Sequence, residues 1–156
     1  MGAILHFKIE GGEAFNVMLD RFQENFHNAE PVFEAMAEYQ KGIWRKQFDQ
    51  EGAYTGAGMW SALKPDYGAW KQRHYPGKPI LQLTGDLMAS MTERPFGVDE
   101  ITDEQMVIGT AVPYSAFHQR GTETMPARPM VQKPSGRDRL QFAKYLQNWI
   151  VKGSVT

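Results

Sequence analysis

The 156-residue chain has no cysteine. That absence removes disulfides, thiolate metal sites and a cysteine nucleophile together, and it fits a reducing compartment. Neither sign of charge is in excess. Seventeen basic residues against 18 acidic ones leave a formal net charge of -1, so no global field draws the chain to nucleic acid or to an anionic membrane. No apolar run approaches the length of a membrane span. The stretch from Met1 to Lys8 lacks the basic region and apolar core of a signal peptide, so a soluble protein with no membrane partner is expected.

Recognisable chemistry is equally scarce. The four histidines, at positions 6, 27, 74 and 118, are too isolated to supply the close pairs of a helical metal site, so neither metal nor cofactor is expected. Gly77-Lys78 resembles the end of a phosphate loop, but Pro79 stands where the loop needs Ser or Thr and Gln72 where it needs Gly. Asp99, Glu100, Asp103 and Glu104 surround a predicted turn, where carboxylates are ordinarily solvated and unable to split their pKa values for acid-base work. His118, with Glu123 nearby, is the best catalytic candidate, yet a histidine closing a helix against its negative end is the simpler reading. The expectation is a protein that is not an enzyme.

What is present is pattern. Ile4 to Ile9 alternates like a half-buried strand and stops at Gly11-Gly12. Phe15, Met18, Leu19, Phe22 and Phe26 recur at helical spacing on a helix of about Glu13 to His27. Pro31 suits the first turn of a second helix carrying Val32, Met36, Tyr39 and Ile43, widened by Phe33, Trp44 and Phe48 and ended by Gly52. The very short link between the two predicts a helical hairpin. Thr84 is placed to cap a short helix with Leu87, Met88 and Met91 on its inner face. Phe96 to Ile101 and Met106 to Thr110 predict a β-hairpin around Thr102-Asp-Glu104, and Met130 to Gln132 is a candidate further strand. Leu140, Ala143, Tyr145, Leu146, Trp149 and Ile150 predict a C-terminal amphipathic helix from about Asp138 to Lys152. The order gives an α+β fold: one domain over residues 1–156, with a small, mostly antiparallel sheet packed by an N-terminal helix pair and a C-terminal helix.

Two segments stand out. Residues 53–80 carry Gly56, Gly58, Pro65, Gly68, Pro76, Gly77 and Pro79, which predict a long aromatic loop with little regular structure, facing a partner. Its Trp60, Tyr67, Trp70 and Tyr75 interleave with Lys64, Lys71, Arg73, His74 and Lys78, the mixture that single-strand binders use for stacking and phosphate attraction. The same residue types dominate protein interfaces, and a net charge near zero favours protein contact, with Trp60, Tyr67, Trp70 and Lys71 as contact residues. The second segment begins at Val112. Tyr114 and Phe117 are three apart and so share one face of a short helix held to the core, with His118, Gln119 and Arg120 at its end and Gly121 as a left-handed stop. Pro126 and Pro129 brace Ala127 and Arg128 in an extended arm expected to aim the guanidinium outward at a partner.

Read in order, Trp60-Ser-Ala-Leu63, Tyr67 with Lys71, Gly77-Lys-Pro-Ile-Leu81, Thr84-Gly85-Asp-Leu87, Pro113-Tyr114, His118-Gln-Arg-Gly121 and Pro126-Ala-Arg-Pro129 resemble the Mu-like phage virion morphogenesis and tail completion proteins. The likeness runs from Trp60 to Pro129, and the first 50 residues match only in pattern. The resemblance implies a structural component of a tailed bacteriophage or prophage, assembled in the host cytoplasm and located in the virion. It implies a hexameric ring at the head-tail junction that completes the tail tube or joins it to the head connector and neck, leaving a channel through which DNA passes without sequence-specific binding. A closed ring needs two different patches on each subunit. The Arg128 arm with its Phe117 to Gly121 base and the aromatic loop are the candidates, and Arg128→Glu is expected to spare the fold while blocking tail joining. A nucleic-acid-binding module using the basic aromatic loop 60–78, and a small hydrolase using His118, are the alternatives.

Overall fold

Residues 11–156, described by a computed structural model, begin with two helices, α1 (Gly12–His27) and α2 (Glu30–Asp49). A 3-10 turn (Ala53–Thr55), α3 (Pro65–His74) and α4 (Asp86–Thr92) follow. The chain closes with strands β1 (Val98–Ile101) and β2 (Met106–Gly109), then α5 (Ser115–Arg120) and α6 (Gly136–Lys152). The architecture is the expected α+β one, with its described sheet reduced to one antiparallel hairpin pairing Val98 with Gly109 and Ile101 with Met106. The strand predicted at Ile4 to Ile9 lies outside the described residues.

α2 is the spine. Pro31 presets its first turn, where no N–H bond is lost, and Val32, Ala37, Ile43, Trp44, Gln47 and Phe48 bury one stripe. Trp44 and Phe48 join Trp60, Leu87, Met91 and Met130 in the core, and the complete burial of Phe48 contributes roughly 1.5–3 kcal/mol. Gln47 is fully buried and satisfied: its amide donates to the Gly52 carbonyl at 2.9 Å and its oxygen accepts from the Thr55 N–H at 3.2 Å, closing the turn after α2. Arg94 fastens the β-hairpin to this spine through Glu34 of α2 and, at 3.2 Å, Asp99 of β1.

α6 opens with a capping box in which Ser135 and Asp138 satisfy each other's backbone N–H. The Tyr39 hydroxyl donates to the same Asp138 carboxylate at 3.0 Å and ties this end of α6 to α2. Burial raises the Tyr39 hydroxyl pKa, and the bond to Asp138 adds to the rise. Burial pushes the Asp138 carboxyl up, but bonds from Ser135 and Tyr39 outweigh it and hold it below its ordinary value.

Three expectations fail here. α1 and α2 do not form a packed hairpin: α1 leans on α6 instead, and no residue of α1 is buried. A polar clamp fastens it, in which the Asn25 amide donates to the Trp149 carbonyl at 3.0 Å and the Trp149 indole donates to the Asn25 and Asn28 carbonyls, each at 2.8 Å. Residues 53–80 are not a plain loop, because α3 occupies ten of them. Pro65 starts α3 rather than breaking it, Asp66 sits at its positive end, and Lys71, Arg73 and His74 sit at its negative end. Met130 to Gln132 forms no strand, because the N–H groups of Met130 and Val131 are taken by the Gln119 side chain at 2.9 and 3.1 Å.

Candidate functional site

Four stretches far apart in the chain meet at one open cleft of about 630 Å3. Leu63 to Lys71 forms one wall and Leu81 to Leu87 a second, while Tyr114 with His118 and Thr124 to Arg128 complete it. Every motif segment quoted from Trp60 to Pro129 reaches this cleft or the interlock beneath it.

The interlock is built from the residues with the most conspicuous chemistry. Arg128 does not point outward: it is 3% exposed, and its guanidinium donates to the carbonyls of Ser61 at 2.8 Å and Ala62 at 2.9 Å. The two prolines hold the backbone so that the Arg128 N–H also donates to the His118 carbonyl at 2.7 Å. Trp60 is buried as well, edge-on to Phe48 at 5.5 Å, with its indole donating to the Pro129 carbonyl at 2.9 Å. Ala127 and Met125 pass so close to Gly121 that a methyl group there would stand 2.8 Å from the Ala127 nitrogen and 2.9 Å from the Met125 oxygen. Gly121 has φ 77° and ψ 177°, so it ends α5 with positive φ but outside the ordinary left-handed helical region. Gln119 supplies both a donor, to the Val131 carbonyl at 2.6 Å, and an acceptor for two N–H groups, standing in for a strand neighbour.

Lys71 is 4% exposed, and its ammonium donates to the Pro79 carbonyl. Burial lowers its pKa, partly offset by Glu51, whose carboxylate accepts the Ile80 N–H at 2.6 Å. Burial likewise lowers the Arg128 pKa. His118 keeps one buried ring nitrogen, Nδ1, without a hydrogen-bond partner among the described residues, and burial together with the nearby Arg128 charge lowers its pKa. A neutral histidine does little for a helix's negative end, so the expected dipole role is weak. The expected exposure of the contact residues is therefore corrected for Trp60, Lys71 and Arg128, which belong to the interior because their polar atoms are spent on backbone carbonyls.

Other side chains face out. Tyr67 and Trp70 are 44% and 40% exposed and stack at 5.6 Å, and the Trp70 ring stacks in turn on His74 at 4.9 Å. Arg120 and Pro113 are exposed. Tyr114 and Phe117, expected to anchor α5 in the core, are 42% and 57% exposed; α5 is instead held by backbone bonds, the Gln119 side chain and Arg128. Thr84 does not cap α4 directly. Gly85, at φ 99°, takes the cap position, and the Thr84 hydroxyl donates to the Asp86 carboxylate at 2.8 Å. Leu81, with φ 62°, turns the second wall and packs on the core, and Leu87 is buried beneath it.

This arrangement offers a shaped apolar hollow with cationic groups, Lys64, Lys71 and Arg128, against the single carboxylate Asp86, which the Thr84 hydroxyl engages at the start of α4. Asp99 pairs with Arg94, and an Asp103 oxygen accepts the Glu30 N–H at 3.2 Å, so the acidic turn works as structure. Among the described residues no cluster of three or more His, Asp or Glu is placed to hold a metal ion. No described helix is long and apolar enough to cross a membrane.

A sequence profile of the phage virion morphogenesis family matches residues 11–149. The Mu-like prophage FluMu G protein 1 of Haemophilus influenzae is 35% identical to this chain over 104 residues, which cover 66% of this chain and 66% of that protein. No solved structure matches the chain.

Proposed function

The chain belongs to the phage virion morphogenesis family, which gives it a structural or assembly role in a phage virion, and from that premise we propose that it forms a ring at the head-tail junction. In this reading the ring, a hexamer, completes the tail tube and joins it to the head connector and neck, and genomic DNA passes through its channel. The protein acts without catalysis and without a cofactor.

One observation carries the reading. The motif segments converge on a single place, where Arg128 and Lys71 are consumed in holding the fold, leaving an open apolar cleft as what the convergence presents to the outside. A cluster that builds a surface rather than a reaction centre suits a subunit whose work is contact. Electron microscopy of the purified protein, alone and mixed with isolated tail tubes, tests the proposal. Closed rings with a central channel at one tube end are expected; a protein that stays monomeric and never decorates tails would sink it.

The nucleic-acid reading has its own observation, the exposed Tyr67–Trp70–His74 stack beside Lys64, Arg73 and Lys78. These rings turn their faces to one another, which leaves few faces for bases to stack on. Binding of single-stranded DNA that falls steeply with salt is the result that would favour it.

A further inference from the structure

We infer that α1 is a docking arm that seats in the cleft of a second copy of this chain, an inference that rests on the ring proposed above and specifies its subunit contact. α1 has no buried residue, and Phe15, Leu19 and Phe26 are 54%, 45% and 67% exposed. At 3.6 residues per turn these three lie within about 40° of one another on the helix, so they form one stripe. Met18, 42% exposed, borders the stripe and half-buried Phe22 lies within it, whereas Val17 is on the opposite side of the helix. The four side chains of this face leave on the order of 400 Å2 of apolar surface open, within the range of about 300–600 Å2 for the largest patch on a monomer, a patch that is often functional. A standard interface takes about 800 Å2 from each partner, so this helix supplies about half of one side.

A ring contact is head-to-tail and needs a second, different patch to receive the first. The cleft meets that requirement: it is apolar, open, and built from α3, the 81–87 turn, α5 and the 124–128 segment, whereas α1 leans on α6. An amphipathic helix entering an apolar groove through residues on one face is a recurrent mode of recognition. The charges are opposite in sign. α1 carries Glu13, Asp20 and Glu24 against Arg21, and the cleft carries Lys64, Lys71 and Arg128 against Asp86. The carboxylates lie on the helix flank away from the stripe, so they steer the approach and form no ion pairs in the cleft, and salt should slow association more than it loosens the docked state.

The absence of native cysteine makes the test direct. Leu19→Cys in one preparation of the full chain and Thr84→Cys in another, distinguishable by mass, are mixed under mild oxidation. Mixed disulfide dimers are expected from the two together, and none from either alone. A Leu19→Cys homodimer would place α1 against α1 and overturn the proposal, as would a disulfide closed within one chain carrying both substitutions. A second measurement uses Phe15→Ser with Phe26→Ser, exposed positions whose change leaves the core intact; at least a tenfold loss of self-association is expected by native mass spectrometry. If the wild type forms rings while the crosslinks fail and the double variant assembles normally, the docking is wrong and the ring stands. Wild-type protein that remains monomeric with and without tail tubes removes both. Crosslinked open chains that never close support the docking and remove the ring.

Discussion

The indole N–H of Trp60 donates to the carbonyl of Pro129 at 2.9 Å, joining two motifs that are 69 residues apart. Beside it the Arg128 guanidinium spans to the carbonyls of Ser61 and Ala62, so the same two short segments are tied at three points. The proline brace therefore serves the fold from inside. Gly52 records how tight the joint is, since a methyl group there would meet the Trp60 ring at 2.6 Å.

Arg128→Ala should destabilise the protein by about 3 kcal/mol, because hydrogen bonds from a charged donor are lost and a buried gap is left. Arg128→Lys should recover little, since one ammonium does not span two carbonyls as the guanidinium fork does. Urea unfolding measures both. An unchanged midpoint for Arg128→Ala would return the residue to the outward role that its sequence context suggests.

Gly121→Ala should cost about 3 kcal/mol, combining a backbone region that is nearly reserved for glycine with contact against Ala127. Gly56→Ala is the control. Its φ of 79° is also positive, but ψ 2° keeps it in the ordinary left-handed region and nothing lies within 4 Å of the added methyl, so about 1 kcal/mol is expected. Equal thermal shifts for the two variants would show that neither the backbone region nor the close approach restricts position 121.

Acid should weaken the cleft through His118. Its folded-state pKa lies below the ordinary 6.5, so the unfolded chain binds the proton more readily. The stability tied to neutral His118 is present above pH 6.5 and is lost as pH falls through the lower folded-state value. Between pH 7.5 and 5.5 the wild type should lose more stability than His118→Gln, read by denaturant midpoints; parallel losses would discount the burial of that ring.

Tyr67→Ser with Trp70→Ser should cost only about 1–2 kcal/mol, because the rings, 44% and 40% exposed, stack on each other and on His74 at the surface. If the aromatic face of α3 touches a tail or neck partner, decoration of tail tubes should fall while calorimetry hardly moves. A large drop in thermal midpoint would mean that the stack is part of the core.

The elements that were legible in the sequence are those whose signal is local. The stripe from Val32 to Phe48, the hairpin turn at Thr102 and the C-terminal helix each depend on neighbours a few residues away, and each stands in the structure. α3 was hidden because Pro65 and Gly68 read as breakers, although proline is at ease in a first turn. The direction of Arg128 was illegible for a different reason. Proline fixes the backbone around it, but which way a side chain then points depends on where Ser61 and Ala62 have been carried by the rest of the fold. The motif segments share one cleft, but the burial of Trp60, Lys71 and Arg128 is not legible in them, because burial is decided by tertiary neighbours. α1 shows the same limit: its apolar spacing promises a helix but does not say which partner covers it.

The Asn25–Trp149 clamp ends with a kinetic consequence. Because α1 touches the domain through α6 and buries none of its own residues, folding of the remainder does not wait for it. Amide exchange along α1 should be fast in the free subunit and slow after assembly, so the helix would serve as a clock that separates the moment a subunit matures from the moment it is incorporated.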